Sequence, residues 1–431
     1  MDADFYEGKG VTMANWKDRH NPDPFIKKME TTRSVKDDGQ VQFSGMDIMT
    51  VPAQLENIIE LNSLVTQEDN HTIVWSAIRN AGKKGALSSG SVIGEIEKLE
   101  KEYLSTREQK FILISTLSIS SQKHKLPNLQ IDRNRITFSP KIAKNFIKHI
   151  AENQNIKWHI RENKIPNDYT WAMITVSAKS IHAATQKALR SLNLFRGKLN
   201  YLINYGNRSF SYGNKPKPIN KIRYGPIHTL HKPNGKLVDD IFWYEEECFE
   251  IAKAYHDNIA GRFDKMMNFL SDFRKQLSKS KIKNTLENAI LLYNAALDSY
   301  SFDTAFIKLW ATLELLTGTG RDSYDTTVKR TAFIFKDVEA IKSHLNILRD
   351  CRNDIAHKGY MEGEKEIFLY DLKLYVEQLI RFLLWDVKGL KDFGEIKQLL
   401  DSCPDKNGLI QSKKEIKSKL KINNMSQKLH K

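Results

Sequence analysis

The second half of the chain repeats apolar residues at the three- and four-residue spacing of amphipathic helices. The pattern runs from about residue 239 to residue 400, and short connectors such as GTGRDSYD separate its segments. Short connectors place successive helices antiparallel, so this half is predicted to form an all-α helical bundle. The predicted helices are DDIFWYEEECFEIAKAYHDN, GRFDKMMNFLSDFRKQLSK, TLENAILLYNAALDSY, DTAFIKLWATLELLTG, DTTVKRTAFIFK, VEAIKSHLNILRDCRNDIAH and EKEIFLYDLKLYVEQLIRFLLWDVK.

The first half mixes helical periodicity with short β-branched, apolar runs that are typical of strands. The predicted strands are KFILISTLSIS, NRITFS, KWHIRE and TWAMITVSAKS. The predicted helices are AQLENIIELNSLV, SVIGEIEKLEKEYLS, PKIAKNFIKHIAEN and IHAATQKALRSLNLFRGKLNYLIN, and RNAGKKGALSSGS is interpreted as a connector. The predicted fold is therefore an α+β N-terminal region followed by an all-α bundle, predominantly α overall.

Changes in composition divide the chain into five predicted parts. Residues 1–50 form an irregular N-terminal segment, and residues 51–205 form an α+β domain of unknown role. Residues 206–238 are a basic linker or loop rich in Gly and Pro. Residues 239–400 are the helical domain, and residues 401–431 are a basic tail.

Composition excludes several classes of protein. Hydrophobic residues make up 40% of the 431 residues, as expected of a globular protein, and no apolar run approaches the roughly 18 residues of a membrane span. Three widely separated cysteines predict a reducing, cytoplasmic location. His228 and His231 stand three residues apart without a neighbouring Cys or acid, which is a weak metal signal. We therefore predict no metal, no cofactor and no membrane partner.

The net charge of +15 is unevenly distributed. No Asp or Glu occurs from Tyr169 to Val238, a stretch that holds twelve Lys and Arg residues and that we call the acid-free segment. Its cations and interspersed aromatic rings suit a single-stranded nucleic acid, because rings stack on bases while cations meet phosphates. A solvated surface or a plain loop is the alternative interpretation. The candidate nucleic-acid contacts are Arg208, Lys215, Lys217, Lys221 and Arg223.

The sequence RDCRNDIAHKGY, residues 349–360, combines charged and polar groups on a predicted helix. Arg352 falls within the apolar stripe of that helix, between Leu348 and Ile355, where an unpaired charge is costly to bury. His357 lies about 140° around the helix from Arg352 and shares a face with Asn353. One interpretation is structural: the arginine forms a salt bridge, and the histidine stabilises the helix C-terminus. The other is a site that uses both groups.

The residues Arg352-Asn353-Asp354-Ile355-Ala356-His357 resemble the signature of HEPN domains, in which Arg and a polar residue precede His by a fixed spacing. The two preceding helices, with Leu309, Trp310, Ala311, Leu313, Glu314 and Leu315, resemble those of the ApeA-like HEPN subgroup. The resemblance covers roughly residues 282–388 of the chain. It implies a HEPN-type helical bundle.

The resemblance implies a metal-independent endoribonuclease that acts as a homodimer, with RNA as substrate. His357 would be the general acid or base for 2′-OH attack, Arg352 would hold the scissile phosphate, and Asn353 would orient the histidine. Glu314 and Asp354 are supporting candidates, and Glu314 is equally well interpreted as an exposed helix charge. Lys358 is a further nucleic-acid contact. The family suggests antiphage defence or a toxin-like role with a phage-derived trigger or a regulatory partner. The alternative is a non-catalytic nucleic-acid-binding or regulatory HEPN module.

Overall fold

The computed structural model describes residues 14–36, 40–45, 47–152, 165–210, 217–244, 251–320, 324–387, 392–402 and 414. This part of the chain is predominantly α-helical. Its α-helices are α1 (Asp23–Thr31), α2 (Asp47–Ile58), α3 (Gln67–Lys84), α4 (Ser89–Ser105), α5 (Lys144–Glu152), α6 (Ile181–Asn204), α7 (Arg262–Lys279), α8 (Lys283–Leu297), α9 (Phe302–Thr317), α10 (Tyr324–Ala332), α11 (Val338–Lys358), α12 (Lys365–Arg381) and α13 (Phe393–Asp401). A π-helical turn, Phe382–Asp386, extends α12.

The strands form one large sheet and two small pairs. They are β1 (Asn15–Trp16), β2 (Arg33–Val35), β3 (Val41–Phe43), β4 (Ile59–Glu60), β5 (Gln109–Ser120), β6 (Leu129–Ile131), β7 (Asn134–Ser139), β8 (Tyr169–Ala178), β9 (Ile227–His231) and β10 (Leu237–Tyr244). β1 pairs with β4 and β2 pairs with β3. The six-stranded sheet has the order β10-β9-β5-β8-β7-β6, and all its neighbouring strands are antiparallel.

Helices α1 to α4 share a hydrophobic core of their own. Met29 of α1 and Leu55 of α2 are fully buried in this core, together with Val74 and Ile96. The prediction of an irregular segment over residues 1–50 is therefore wrong for α1 and for the hairpin of β2 and β3. Short amphipathic elements gain their stability from burial against neighbouring helices, and a local pattern reveals this poorly.

Helix α3 was absent from the sequence prediction. Its apolar residues Ile73, Val74, Ala77, Ile78 and Ala81 follow helical spacing and are buried. The helix continues to Lys84 through the Gly- and Lys-rich residues that were interpreted as a connector, so the connection to α4 is short. Ser88 is the N-cap of α4, and its side chain accepts a hydrogen bond from the backbone N–H of Ser91.

The central strand of the large sheet is β5, which pairs with β8 along most of its length. The predicted strands KFILISTLSIS, NRITFS and TWAMITVSAKS are confirmed as β5, β7 and β8. The predicted strand KWHIRE lies outside the described residues. Helix α6 covers one face of the sheet and buries Leu192, Phe195 and Leu199 against it.

The prediction that residues 206–238 form a linker or loop is wrong for the residues of β9 and the start of β10, because both strands belong to the large sheet. All five residues of β9 are buried, and the strand lies between β5 and β10. Leu237–Tyr244 is β10, so the helix predicted from Asp239 does not begin there. The turn between the strands is KPNG: the N–H of Gly235 donates to the carbonyl of Lys232 at 2.9 Å, and Gly235 has φ +90°. Pro and Gly thus mark a hairpin here, and not a linker.

The helices of the second half pack around one core, to which α6 also contributes Tyr201. The six predicted helices from residue 261 onward are confirmed as α7 to α12, with small differences at their ends. Helix α9 is central: it packs against α8 and α12 along its length, and also contacts α10 and α11. Trp310 and Phe306 of α9 are fully buried in this core. The bundle thus places the C-terminal half of α11 beside α10.

Candidate functional site

Helix α11 carries the candidate catalytic residues. Its N-cap is Asp337, whose side chain accepts a hydrogen bond from the backbone N–H of Ala340 at 3.2 Å, and its C-cap is Gly359, which has φ +83°. Leu345 and Leu348 are fully buried in the core. The C-terminal turns lie closer to the surface, so the residues of the signature are half-buried or exposed.

The guanidinium group of Arg352 packs on the ring of Tyr324, the first residue of α10. Its central carbon lies 4.7 Å from the ring centroid, and Nη1 donates a hydrogen bond to Asn353 Oδ1 at 3.4 Å. Within the described part of the chain, Arg352 forms no salt bridge with any carboxylate. The structural interpretation of Arg352 as half of an intramolecular ion pair is therefore not observed. A cation–π contact holds the side chain, and such a contact does not itself neutralise the charge.

Glu314 does not contact Arg352 directly. Its Oε1 accepts a hydrogen bond from Trp310 Nε1 at 2.8 Å, one turn earlier on α9. The ring of Trp310 meets the ring of Tyr324 edge to face, with centroids 6.4 Å apart. Glu314 thus orients Trp310, Trp310 packs on Tyr324, and Tyr324 supports Arg352. Neither Trp310 nor Tyr324 was a predicted site residue, because no periodicity connects residues on three different helices.

His357 is exposed near the end of α11. Asn353 lies one turn before it on the same face, as the spacing predicts. Arg352 and His357 do not contact each other in this chain, so a single copy presents the two groups separately on one helix end. Asp354 pairs with Lys358, their charged atoms being 3.1 Å apart. The hydrogen bond that Lys358 donates to Asp354 raises the pKa of the exposed Lys358. These two residues therefore engage each other and not Arg352.

The acid-free segment is partly compensated by acids from other parts of the chain. Arg208 pairs with Asp371 of α12 at 2.7 Å, and Arg223 packs on the ring of Tyr300 and donates a hydrogen bond to its hydroxyl. Lys217 and Lys221 are exposed, and Lys215 lies outside the described residues. The candidate nucleic-acid contacts thus do not form one uniform cationic surface. Tertiary packing has neutralised part of the charge that the sequence shows as unopposed.

Three further cations of the acid-free segment lie on α6. Arg196, which is 4% exposed, pairs with Asp298 through two hydrogen bonds of 2.9 and 2.6 Å. Lys187 of the same helix pairs with Glu108 at 3.1 Å. Lys198 is 3% exposed, and burial lowers its pKa to about 8. Arg196 and Lys198 are therefore components of the interior and are not available to a polyanion, whereas Lys187 is exposed.

The histidines of the HxxH pattern lie inside the sheet. His228 contacts Ser115 Oγ at 2.9 Å, and His231 contacts Thr229 Oγ1 at 2.8 Å and the carbonyl of Gly235 at 2.7 Å. Both are buried, and burial lowers the pKa of His231. Within the described residues, no group of three or more His, Cys, Asp or Glu side chains is arranged to hold a metal ion. In the same residues, no helix is both long and apolar enough to cross a membrane.

Comparison with known proteins identifies no relative: no protein-family model, no curated protein and no solved structure matches the chain.

Proposed function

We propose that the protein is a metal-independent endoribonuclease of HEPN type. The observation that carries the proposal is the state of Arg352: its guanidinium is held by Tyr324 and forms no salt bridge within the described residues. A positive charge that is positioned but not neutralised suits a phosphate group, whose oxygens it can bind through two N–H donors. His357, in the next turn, provides an accessible imidazole.

In the proposed reaction the ribose 2′-oxygen attacks the adjacent phosphorus atom. The new P–O2′ bond forms as the P–O5′ bond breaks, which leaves a 2′,3′-cyclic phosphate and a free 5′-hydroxyl. An imidazole accepts the proton of the 2′-OH, and another proton must reach the departing 5′-oxygen. Arg352 stabilises the added negative charge on the phosphate oxygens in the transition state. Asn353 positions the reacting groups on the face that it shares with His357.

In the proposed reaction, two copies of the chain form the active site together. Arg352 and His357 lie about 140° apart around one helix, whereas two helix ends that face each other would present two of each side chain to one phosphate. Ile347 of α11 is 51% exposed and Tyr360, just beyond the helix, is 49% exposed. Apolar surface of this kind favours burial against a second copy. A homodimer that acts on RNA in the cytoplasm, in a defence or toxin-like role, is the complete form of the proposal.

The test is cleavage of RNA by purified protein. Replacement of the proposed general acid–base, His357→Ala, should reduce the cleavage rate by about 10²–10⁴-fold. His71→Ala is the matched control, because His71 is also exposed but pairs with Glu56 on a distant surface. It should cleave at the wild-type rate. Cleavage should continue in EDTA, and the product should carry a cyclic phosphate.

Undiminished cleavage by His357→Ala would refute the assignment of the site. Loss of activity in EDTA would refute only the metal-independent chemistry. If RNA binds in a salt-dependent manner but neither protein cleaves it, the protein is instead a non-catalytic binding module.

A further inference from the structure

A cleft opens where the end of α6 meets the helical bundle. It lies between the C-terminal part of α6, the first turns of α7 and the π-helical turn after α12, and its volume is about 610 Å³. Cavities of roughly 300–1,000 Å³ hold small organic ligands in other proteins. None of the candidate catalytic residues lines it.

Aromatic rings form the apolar walls of this cleft. Phe269 of α7 is 45% exposed, and its ring centroid lies 5.3 Å from that of Trp385. Trp385 is itself held by an edge-to-face contact with buried Phe273, with centroids 5.4 Å apart. Tyr205 lines the cleft from the end of α6, and its hydroxyl donates a hydrogen bond to Gln378 at 3.1 Å. Rings that are fixed in position yet open to solvent can stack on a planar ligand at little cost in side-chain entropy.

Cations form the rim of the same cleft. Arg262 and Lys265 project from the first turn of α7, and Arg381 projects from the end of α12. Arg262 also contacts Asp257, with Nε 3.1 Å from the carboxylate. Within the described residues, Lys265 and Arg381 form no salt bridge. No Asp or Glu is among the residues that line the cleft, so its field attracts anions.

Positively charged side chains also lie beyond the first cleft. Arg262 also lines a neighbouring cavity of about 320 Å³, together with Lys221 and Arg208. Arg208 is neutralised by Asp371, whereas Lys221 forms no salt bridge within the described residues. A ligand whose ring occupies the aromatic cleft could therefore extend several negative charges towards this second cavity. The arrangement suits one planar ring joined to a chain of phosphates.

We propose that this cleft binds a nucleoside polyphosphate. The base stacks between Tyr205 and the Phe269–Trp385 pair, and the phosphates lie against Arg262, Lys265 and Arg381. Stacking of a base on aromatic rings and ion pairing with phosphate oxygens are both well-established sources of affinity. The site is separate from the signature on α11, so the proposal does not depend on ribonuclease activity.

Titration calorimetry with the full chain tests the ligand class. ATP and GTP should each bind at least about tenfold more tightly than adenosine, which lacks charge, and than inorganic pyrophosphate, which lacks a ring. Equal affinity for ATP and pyrophosphate would show that the rings contribute nothing and would overturn the proposal. No binding of ATP or GTP at millimolar concentration would also overturn it.

Exposed side chains allow the site to be located without disturbing the fold. Lys265→Ala and Arg381→Ala should each weaken ATP binding by about tenfold, because each removes a charged contact to phosphate. Lys275→Ala is the matched control: it lies on the same helix, is exposed and pairs with Asp272, and should bind as the wild type does. Phe269→Ala should also weaken binding. Unchanged affinity in all three cleft variants would place the ligand elsewhere and refute the assignment.

Two further measurements separate this proposal from the ribonuclease proposal. His357→Ala should bind ATP with wild-type affinity, because it lies outside the cleft; loss of binding in that variant would contradict a separate site. A single-stranded oligoribonucleotide that binds the cleft while ATP and GTP do not would mean an RNA-contacting surface instead of a nucleotide site.

Discussion

Lys198 illustrates how burial changes the chemistry of a single side chain. Its side chain enters the interface between α6 and the bundle, where removal from water lowers its pKa to about 8. Glu287 provides partial compensation, and burial raises the pKa of that carboxyl group. Desolvation therefore outweighs attraction for both partners, and each favours its neutral form more than it would in water.

The lowered pKa of Lys198 predicts an unusual dependence of stability on pH. Between pH 8 and pH 10 the unfolded lysine, with a pKa of 10.5, binds more protons than the folded one. The free energy of unfolding should therefore rise with pH in this range, by about 2 kcal/mol from this residue. Chemical denaturation at several pH values measures how the free energy of unfolding changes with pH.

The contribution of Lys198 appears as a difference between variants. The free energy of unfolding of Lys198→Met should not show this rise with pH, because methionine has no titratable group. Lys187→Met replaces an exposed lysine on the same helix. Its free energy of unfolding should depend on pH as that of the wild type does. Identical slopes in the wild type and Lys198→Met would contradict the lowered pKa.

Helix α6 approaches α8 closely because of one small residue. A Cβ atom on Gly197 would lie 2.9 Å from Ile290 Cγ2 and 3.3 Å from the carbonyl oxygen of Ile290. The backbone oxygen cannot rotate away, so the separation of the two helices depends on the missing side chain. This contact is invisible in the sequence, where Gly197 only interrupts a helical pattern.

Gly197→Ala should destabilise the protein. Alanine favours a helix over glycine by about 1 kcal/mol, but overpacking of a tight core costs typically 1–3 kcal/mol, and the close backbone contact makes the cost the larger effect. Thermal unfolding should show a lower midpoint temperature.

Gly94 is the matched control for Gly197. It lies within α4, and no atom lies within 4 Å of the Cβ position. Gly94→Ala should therefore raise the midpoint temperature through helix propensity alone. If Gly197→Ala and Gly94→Ala both stabilised the protein, α6 and α8 could move apart without a cost in stability.

On the scale of the whole molecule, a buried polar network joins the sheet region to the helical bundle. Asn200 of α6 donates hydrogen bonds to the carbonyl of Ile222 at 2.9 Å and to Asn294 Oδ1 at 3.0 Å. Asn220 donates to Asn294 and to Asp298. Through these hydrogen bonds the network connects the residues before β9 to both α6 and α8. The segment that was predicted to be a linker is in this way part of the interior.

Asp298 is the acid of this network, and Asp298→Ala should reduce stability strongly. The substitution removes the carboxylate that accepts two hydrogen bonds from buried Arg196, which should cost about 3 kcal/mol. Because the pair connects both regions, far-UV circular dichroism and tryptophan fluorescence should report one shared, lowered transition.

Asp272→Ala tests whether the loss of any acid has the same effect. Its partner Lys275 is exposed, so the cost should stay below about 1 kcal/mol. If Asp298→Ala were equally mild, or if the two optical signals separated, the network would not couple the two regions.

The sequence by itself determined those helices and strands whose hydrophobic pattern is sufficient to predict them. Strands β5, β7 and β8 and helices α6 to α12 follow from hydrophobic periodicity, because each places regularly spaced apolar residues in a core. The sequence also placed Arg352, Asn353 and His357 on one helix end with the angles expected of a helix. Glycine, proline and lysine, in contrast, misled the prediction at α3 and at the hairpin of β9 and β10, because they occur in turns and packed elements alike.

Only the tertiary structure decided which charges remain without a salt bridge. It paired Arg196 and Arg208 with acids more than a hundred residues away, and it placed Arg352 on Tyr324 and Glu314 on Trp310. It also assembled the aromatic cleft from α6, α7 and the turn after α12. The physical reason is that periodicity records how each segment meets the core, whereas ion pairs and clefts depend on side chains that folding brings together from distant segments.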